Sequence, residues 1–415
     1  MIAELCERFE IDGRVRDAAL AAQARVATLT YDPQRRVAAA VLRAFFDEGI
    51  AESDLAGSTG YGYDDAARAR YESLLARIFG VERALARLSI VSGTHAIVAS
   101  LAACTPPGRT LLSITGRPYD TLRNAISDAA ESLVHHGVVY REIALGGNGA
   151  IDFPAVEEAL AQDPEATVFI QRSRGYAPRR SLYVAECEEA IARVKRVAPD
   201  AVTLVDNCYG ELVEEREPSH AGADLVMGSL IKNLGGSLAP AGAYVAGRAA
   251  LVARVAARIY APGLADSLGP TLHAGRALIQ GLFLAPKIVE ESLRGLDFVA
   301  ALFEALGYRV DPEPGTRRTD IVQAICLGSP DALRRFATGL QAAMPVNARF
   351  RPEPGRVPGY AEPVLMSSGS FVSGATIELS CDAPMRAPFE VYVQGGVSAA
   401  HAYLGALFAA HALQA

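Results

Sequence analysis

The sequence predicts an α/β fold, with a mostly parallel sheet in a large domain joined to a smaller α+β region toward the C-terminus. Three observations carry this reading. Short apolar runs alternate with helical segments from residue 88 to 247. A long helical stretch after about residue 265 leads into further strands. Half of the 415 residues are hydrophobic, enough to bury a full core in more than one structural region.

Taken in order, residues 1–50 read as amphipathic helix in "DAALAAQARVATL" and "RRVAAAVLRAFFDEGI", where apolar positions recur at three and four. They are expected to form an arm that packs on a partner. The glycine- and tyrosine-rich "AGSTGYGYDDAARARYE" interrupts the pattern, and "ARYESLLARIFG" resumes a helix that stops at Gly80. The strand candidates then follow as "LSIVS", "TLLSIT", "ATVFIQ", "AVTLVDN", "ADLVMGS" and "GAYVAG". Beyond them, "GRALIQGLFLAPKIVEESLRGLDFVAALFEALG" reads as one long helix, with strands in "TDIVQAICL" and "GATIELSC" and a proline-rich loop in "ARFRPEPGRVPGYAEP". The expected division is an N-terminal arm and loop (1–65), a large α/β domain (66–265) and a C-terminal α+β domain (266–415).

A formal charge of -7 and the lack of any dense Lys/Arg block argue against a nucleic-acid partner and for small molecules. The start "MIAELCERFEIDGRVRDAAL" has neither the cationic end nor the apolar centre of a secretory signal, and no run is long enough to cross a bilayer, so a cytoplasmic location is expected. Cys6, Cys104, Cys187, Cys208, Cys326 and Cys381 are scattered singly, a pattern that suggests neither a disulfide framework nor a metal site.

In parallel sheets ligands gather at the carboxyl ends of the strands, so the residues just after the strands are the candidates. "IVSGTHAIVAS" passes through Ser92, Gly93 and Thr94 into a helix, whose first N–H groups suit a phosphate; ordinary turn chemistry is the plainer account. "VTLVDNCYGE" places Asp206 at a strand end, where it faces the crevice or merely caps the next helix. "ADLVMGSLIKN" places Ser229 and Lys232 after the next strand, and lysine is rare here: only Lys195, Lys232 and Lys287 occur. A lone lysine is most simply a solvated charge. Phosphate cup, carboxylate and amine in this chain order nevertheless meet the needs of pyridoxal phosphate, which requires an amine for its aldehyde, a carboxylate for its ring nitrogen and a cradle for its phosphate.

The segments "SGTHAI", "YDT", "DNCYGE" and "ADLVMGSLIKN" resemble those of the Cys/Met-metabolism branch of fold-type I pyridoxal phosphate enzymes. "IQRSRGY", "GSLIKNLGG", "QGLFLAP" and "YVQGG" are similar to its methionine gamma-lyase-like subgroup, often labelled aluminium resistance proteins, so the likeness spans about residues 57 to 397. The resemblance implies that Lys232 carries the cofactor as a Schiff base and that Asp206 holds the pyridine nitrogen. It implies that Ser92, Gly93 and Thr94 form the phosphate cup with the Ser229 hydroxyl. Tyr119 takes the place of the family's ring-stacking tyrosine, which also passes a proton to the leaving group; a packed core tyrosine is the alternative. His95 is expected near the cofactor as a helix N-terminal residue rather than as a base.

Tyr61 and Tyr63 match a loop that reaches the phosphate of a neighbouring subunit, which implies a homo-oligomer, a dimer or dimer of dimers, with shared active sites. Two departures stand out. Tyr63 and Glu378 occupy positions where the wider family has arginine, the second being the arginine that grips the substrate carboxylate. Arg386 in "DAPMRAPF" is the replacement candidate, with Arg172 and Arg174 as rivals for that carboxylate or for the phenolic oxygen of the cofactor. The implied activity is elimination of a β- or γ-substituent, usually a thiol, from an amino acid, as in methionine gamma-lyase or cystathionine lyases. Loss of a halide, an aminotransferase, or a cofactor-binding protein without turnover are the alternatives.

Overall fold

The computed structural model describes residues 1–147 and 149–414. The larger sheet contains β1 (Arg83–Arg87), β2 (Thr110–Ser113), β3 (Val139–Glu142), β4 (Thr167–Gln171), β5 (Thr203–Asp206), β6 (Leu225–Ser229) and β7 (Ala243–Gly247). Their spatial order is β1-β7-β6-β5-β4-β2-β3. Pairings from β3 through β2, β4 and β5 to β6 are parallel, and β7 pairs antiparallel with both β6 and β1. Strands β2, β4, β5, β6 and β7 are buried along their whole length, the consequence of helices on both faces, and this is why they read as continuous apolar runs.

The first helices are α1 (Ile2–Arg8), α2 (Gly13–Val26), α3 (Asp32–Glu48), α4 (Ala66–Phe79) and α5 (Gly93–Cys104). The carboxylate of Asp65 caps α4 by accepting from the Arg68 N–H, and α4 ends as its sequence predicts, at Gly80 in the left-handed region (φ 61°). A second sheet, with β8 (Arg309–Asp311), β9 (Val322–Cys326), β10 (Val364–Ser368), β11 (Ser380–Pro384) and β12 (Glu390–Gln394), is antiparallel throughout in the order β10-β11-β12-β9-β8. The helix Gly275–Ala305 runs between the two regions and is buried along much of its length. Among the described residues no helix is long and apolar enough to cross a membrane.

Three local expectations change. The segments expected as an arm for a partner, α1 to α3, lie on their own chain: the Asp12 N–H donates to His411 Nδ1 at 3.0 Å, and Phe45 meets Phe283 edge to face at 5.6 Å. "LSIVS" is a turn, and the strand is the preceding "RALAR", disguised by Arg87, which is buried in an ion pair with Glu72. In "GATIELSC" the chain makes a tight turn at Thr376–Glu378, passes through Leu379 at φ 81° and becomes extended only from Ser380.

Candidate active site

A pocket of about 260 Å³ opens at the carboxyl ends of β4, β5 and β6, and its walls bring together Ser92, Gly93, Thr94, Tyr119, Asp206, Ser229 and Lys232. Ser92 caps α5, its Oγ accepting from the His95 N–H at 3.1 Å. The helix thus presents its positive end to the pocket. A Cβ at position 93 would lie 3.1 Å from Cys208 Sγ, so only glycine keeps this approach to β6 open without displacing a neighbour. His95 itself is absent from the pocket wall.

Asp206 ends β5 and is buried. Burial pushes its carboxyl up, against the pull of the Cys208 N–H at 3.1 Å, the Cys208 side chain, Lys232 and Arg179. A cationic N–H placed against it would offset the desolvation and favour the carboxylate. Lys232 follows β6 and opens a tight turn, Asn233–Gly235, closed by Gly236 at φ 50°. A Cβ on Gly236 would come within 2.3 Å of the Gly281 carbonyl, so the glycine pair after the lysine lets this turn press against the long helix. The Lys232 Nζ lies 3.6 Å from the centroid of the Tyr209 ring. Burial opposes its charge, but Tyr209, Cys208 and Asp206 outweigh burial and hold the ammonium above its usual range.

Tyr119 shares a 2.8 Å hydrogen bond with Thr94 Oγ1, and its N–H donates to Gln171 Oε1 at 3.0 Å. Burial and the nearby Asp206 raise its phenol well above the ordinary value, so it carries a transferable proton at neutral pH. Asp206, Lys232, Tyr119 and the N-terminus of α5 thus line one cavity, and this donor set fits pyridoxal phosphate.

The other predicted residues lie elsewhere. Arg172 is not a substrate ligand: its guanidinium is wholly buried, bound to Glu214 at 2.9 Å, Asn207 Oδ1 at 2.7 Å and the Gly210 carbonyl at 3.0 Å, and it ties the loop after β5 to the wall of the sheet. Arg174 is paired with Asp311 and faces an adjoining outer cavity rather than the lysine pocket. Arg386 also lines that outer cavity, held by Asp120 at 3.2 Å, Glu362 at 3.4 Å and the Tyr176 carbonyl at 3.0 Å. The two cavities share Tyr119, Tyr176 and Tyr360. Glu378 is buried, its Oε2 accepting from the Phe371 N–H at 2.6 Å, and does not reach the pocket.

Tyr61 and Tyr63 point away from their own pocket, 72% and 55% exposed, with ring centroids 5.6 Å apart. Their loop is nonetheless firmly braced. The Asp65 carboxylate accepts from Ser58 and Thr271, and Arg68 donates to the carbonyls of Gly62, Tyr63 and Gly269.

Sequence reasoning missed several lining residues: Gln171, Tyr176, Cys208, Tyr209 and Tyr360. Tyr176 and Tyr209 stand inside the motifs already singled out, "IQRSRGY" and "DNCYGE", whereas Tyr360 arrives from the proline-rich loop, whose path no local pattern reveals. The Tyr176 hydroxyl donates to the buried Asp382 at 2.5 Å, which also accepts from Gln394 Nε2 at 2.7 Å. Arg179 was missed as well. It donates to the carbonyls of Thr115, Ser173 and Arg174, has no carboxylate partner among the described residues, and is lowered to about 10 by burial and by Arg174 against the pull of Asp206.

The family model described as methionine gamma-lyase matches residues 16–414. The uncharacterized protein YnbB of Bacillus subtilis (strain 168) is 42% identical over 366 residues, covering 87% of this chain and 86% of its own. Among solved structures, a carbon-sulfur lyase involved in aluminum resistance from Clostridium novyi NT is 36% identical with a TM-score of 0.93, over 99% of this chain and 98% of that one. The pyridoxal-5'-phosphate-dependent protein YhfS from Escherichia coli shares the fold at 18% identity and a TM-score of 0.58, over 91% of this chain and 96% of that one.

Proposed function

Because the chain belongs to the methionine gamma-lyase family, we propose that it eliminates a thiol from the β or γ carbon of a small amino acid, releasing a keto acid and ammonia. It is a pyridoxal-phosphate-dependent lyase. The observation that carries the finer reading is the placement of Lys232, Asp206 and Tyr119 around one pocket that the N-terminus of α5 also lines. The likeness to a carbon-sulfur lyase supports sulfur as the atom that leaves.

In this reading the α5 N–H groups at Gly93 and Thr94, with the hydroxyls of Ser92 and Ser229, would hold the phosphate, Asp206 would hold the ring nitrogen, and Lys232 would supply the amine for the aldehyde. When bound, pyridoxal phosphate supplies a ring that accepts the electron pair left at the substrate α carbon. With the cofactor bound, the Lys232 amine would serve as the base that takes the substrate α proton. Tyr119, its hydroxyl held by Thr94, donates a proton to the departing sulfur. Arg386, which lines the outer cavity and is held there by Asp120 and Glu362, is the candidate for the substrate carboxylate. The braced, outward-facing Tyr61 and Tyr63 are read as completing the phosphate site of a second copy.

The test is to offer the protein cystathionine, methionine, homocysteine, cysteine and γ-halogenated analogues without any amino acceptor, and to assay keto acid and ammonia. Release of both from a sulfur-containing substrate, with the thiol or sulfide set free alongside them, supports the reading; turnover only with an added keto acid identifies an aminotransferase. The Lys232→Ala variant is expected to lose the covalent adduct that borohydride fixes in the parent protein.

A further inference from the structure

The segment after β5 is strained where it meets the lysine. Tyr209 sits at φ 71°, a left-handed conformation that bulky residues seldom adopt without compensation. The compensation is visible: its carbonyl accepts from Asn233 Nδ2 at 3.0 Å, on the residue after the lysine, and from the Ile321 N–H at 3.2 Å, beside the second sheet. Its ring also packs against the cluster of Val322, Ala324 and Tyr392. All of this holds the flat face of the ring 3.6 Å from Lys232 Nζ.

No carboxylate among the described residues forms an ion pair with that nitrogen, although three lie within electrostatic reach. Each is engaged elsewhere: Asp206 accepts from the Cys208 N–H, Glu211 from Tyr244 and Asp382 from Tyr176 and Gln394. Cys208, the remaining titratable neighbour, is buried and its thiol is held well up in the protonated form. The Tyr209 side chain, through the ring face that lies 3.6 Å from the amine and the hydroxyl that bonds to it, is therefore the group placed to receive the positive charge at Nζ.

We propose that Tyr209 is a catalytic residue of this site, its ring face seating the Lys232 ammonium that forms when the amine takes the substrate's α proton. In that step the Cα–H bond breaks, an N–H bond forms at Nζ, and the electron pair stays with the substrate. The charge created at Nζ in the transition state meets a preformed quadrupole in a buried site, where such attraction is strongest. The role in turnover rests on the lyase reading above; the seating of the ammonium does not.

The experiment is competitive acetylation of the full-length protein freed of cofactor, across pH, with mass spectrometry of the Lys232 peptide and with Lys195 and Lys287 as internal references. Tyr209→Phe, which removes the hydroxyl's bond to the amine but keeps the ring face, is expected to lower the Lys232 midpoint by less than the leucine variant does. Tyr209→Leu is expected to lower it by about one pH unit. Fluorinated phenylalanines at position 209 keep the shape while weakening the quadrupole, and they are expected to lower the midpoint stepwise with fluorine number, which covers the case in which the leucine variant does not fold. An unchanged midpoint across the fluorinated series, or an equal fall in Tyr209→Phe and Tyr209→Leu, overturns the proposal. In the loaded enzyme the α-deuterium isotope effect on turnover should grow along the same series; growth without any shift in midpoint also counts against it.

Discussion

At Glu211 a carboxyl group lies wholly inside the protein, one oxygen accepting from the Tyr244 hydroxyl at 3.0 Å and the other without a partner among the described residues. Burial raises it to about 8, with Glu217 adding to the rise and Lys232 opposing it. The folded state therefore keeps a proton that the unfolded chain gives up near the ordinary carboxylate value, so this contribution to stability is present at low pH and is lost as pH rises through about 8. From pH 6 to 8.5 the parent protein is expected to lose more stability than Glu211→Gln, by up to about 1.4 kcal/mol per pH unit, read from urea unfolding at each pH. The arginines make a second test at the same scale. Arg386→Ala is expected to raise KM for amino acids about 10-fold or more while leaving cofactor content unchanged. If instead only Arg179→Gln raises KM, the carboxylate belongs to Arg179, which has no carboxylate partner among the described residues.

At the scale of single elements, the loop after β5 is built on a buried ion pair. Arg172 reaches Glu214 at 2.9 Å and Glu217 at 3.7 Å, with both carboxylates nearly inaccessible. Removing only the cation leaves two buried carboxyls uncompensated, and Arg172→Met is expected to cost about 3–5 kcal/mol in chemical denaturation. A substrate-binding arginine would instead have changed KM at constant stability. In the sequence this arginine looks like its neighbour Arg174, because spacing along a strand end does not say which side chain turns toward the pocket and which toward the packed wall. The same limit hid β1 and β3: one ends in a buried arginine, and the other is an exposed edge strand with charged residues.

For the whole molecule, the pair Tyr61 and Tyr63 is where the proposed sharing of sites between copies is tested. The two exposed rings sit on a loop braced by Asp65 and Arg68. If they serve a second copy, Lys232→Ala and a double Tyr61→Ala, Tyr63→Ala variant should each be inactive alone yet regain part of the activity when co-expressed, because a mixed pair rebuilds one intact site. No recovery in a mixed oligomer confirmed by mass would confine the tyrosines to some other role.

The fold class and the cofactor were legible in the sequence alone from local signals, apolar runs buried on both faces, a glycine at a helix start, a lysine and an aspartate just beyond strand ends, and the family was legible in the resemblance of segments such as "IQRSRGY" and "GSLIKNLGG". Tertiary structure alone decided which polar groups converge. Tyr209 and Tyr360 enter the pocket from a strained turn and a proline-rich loop, and Arg172 turns away from it into Glu214 and Glu217. The physical reason is that these side chains are positioned by contacts far apart in the chain, such as Ile321 to Tyr209 and Thr319 to Arg172, which no window of neighbouring residues contains.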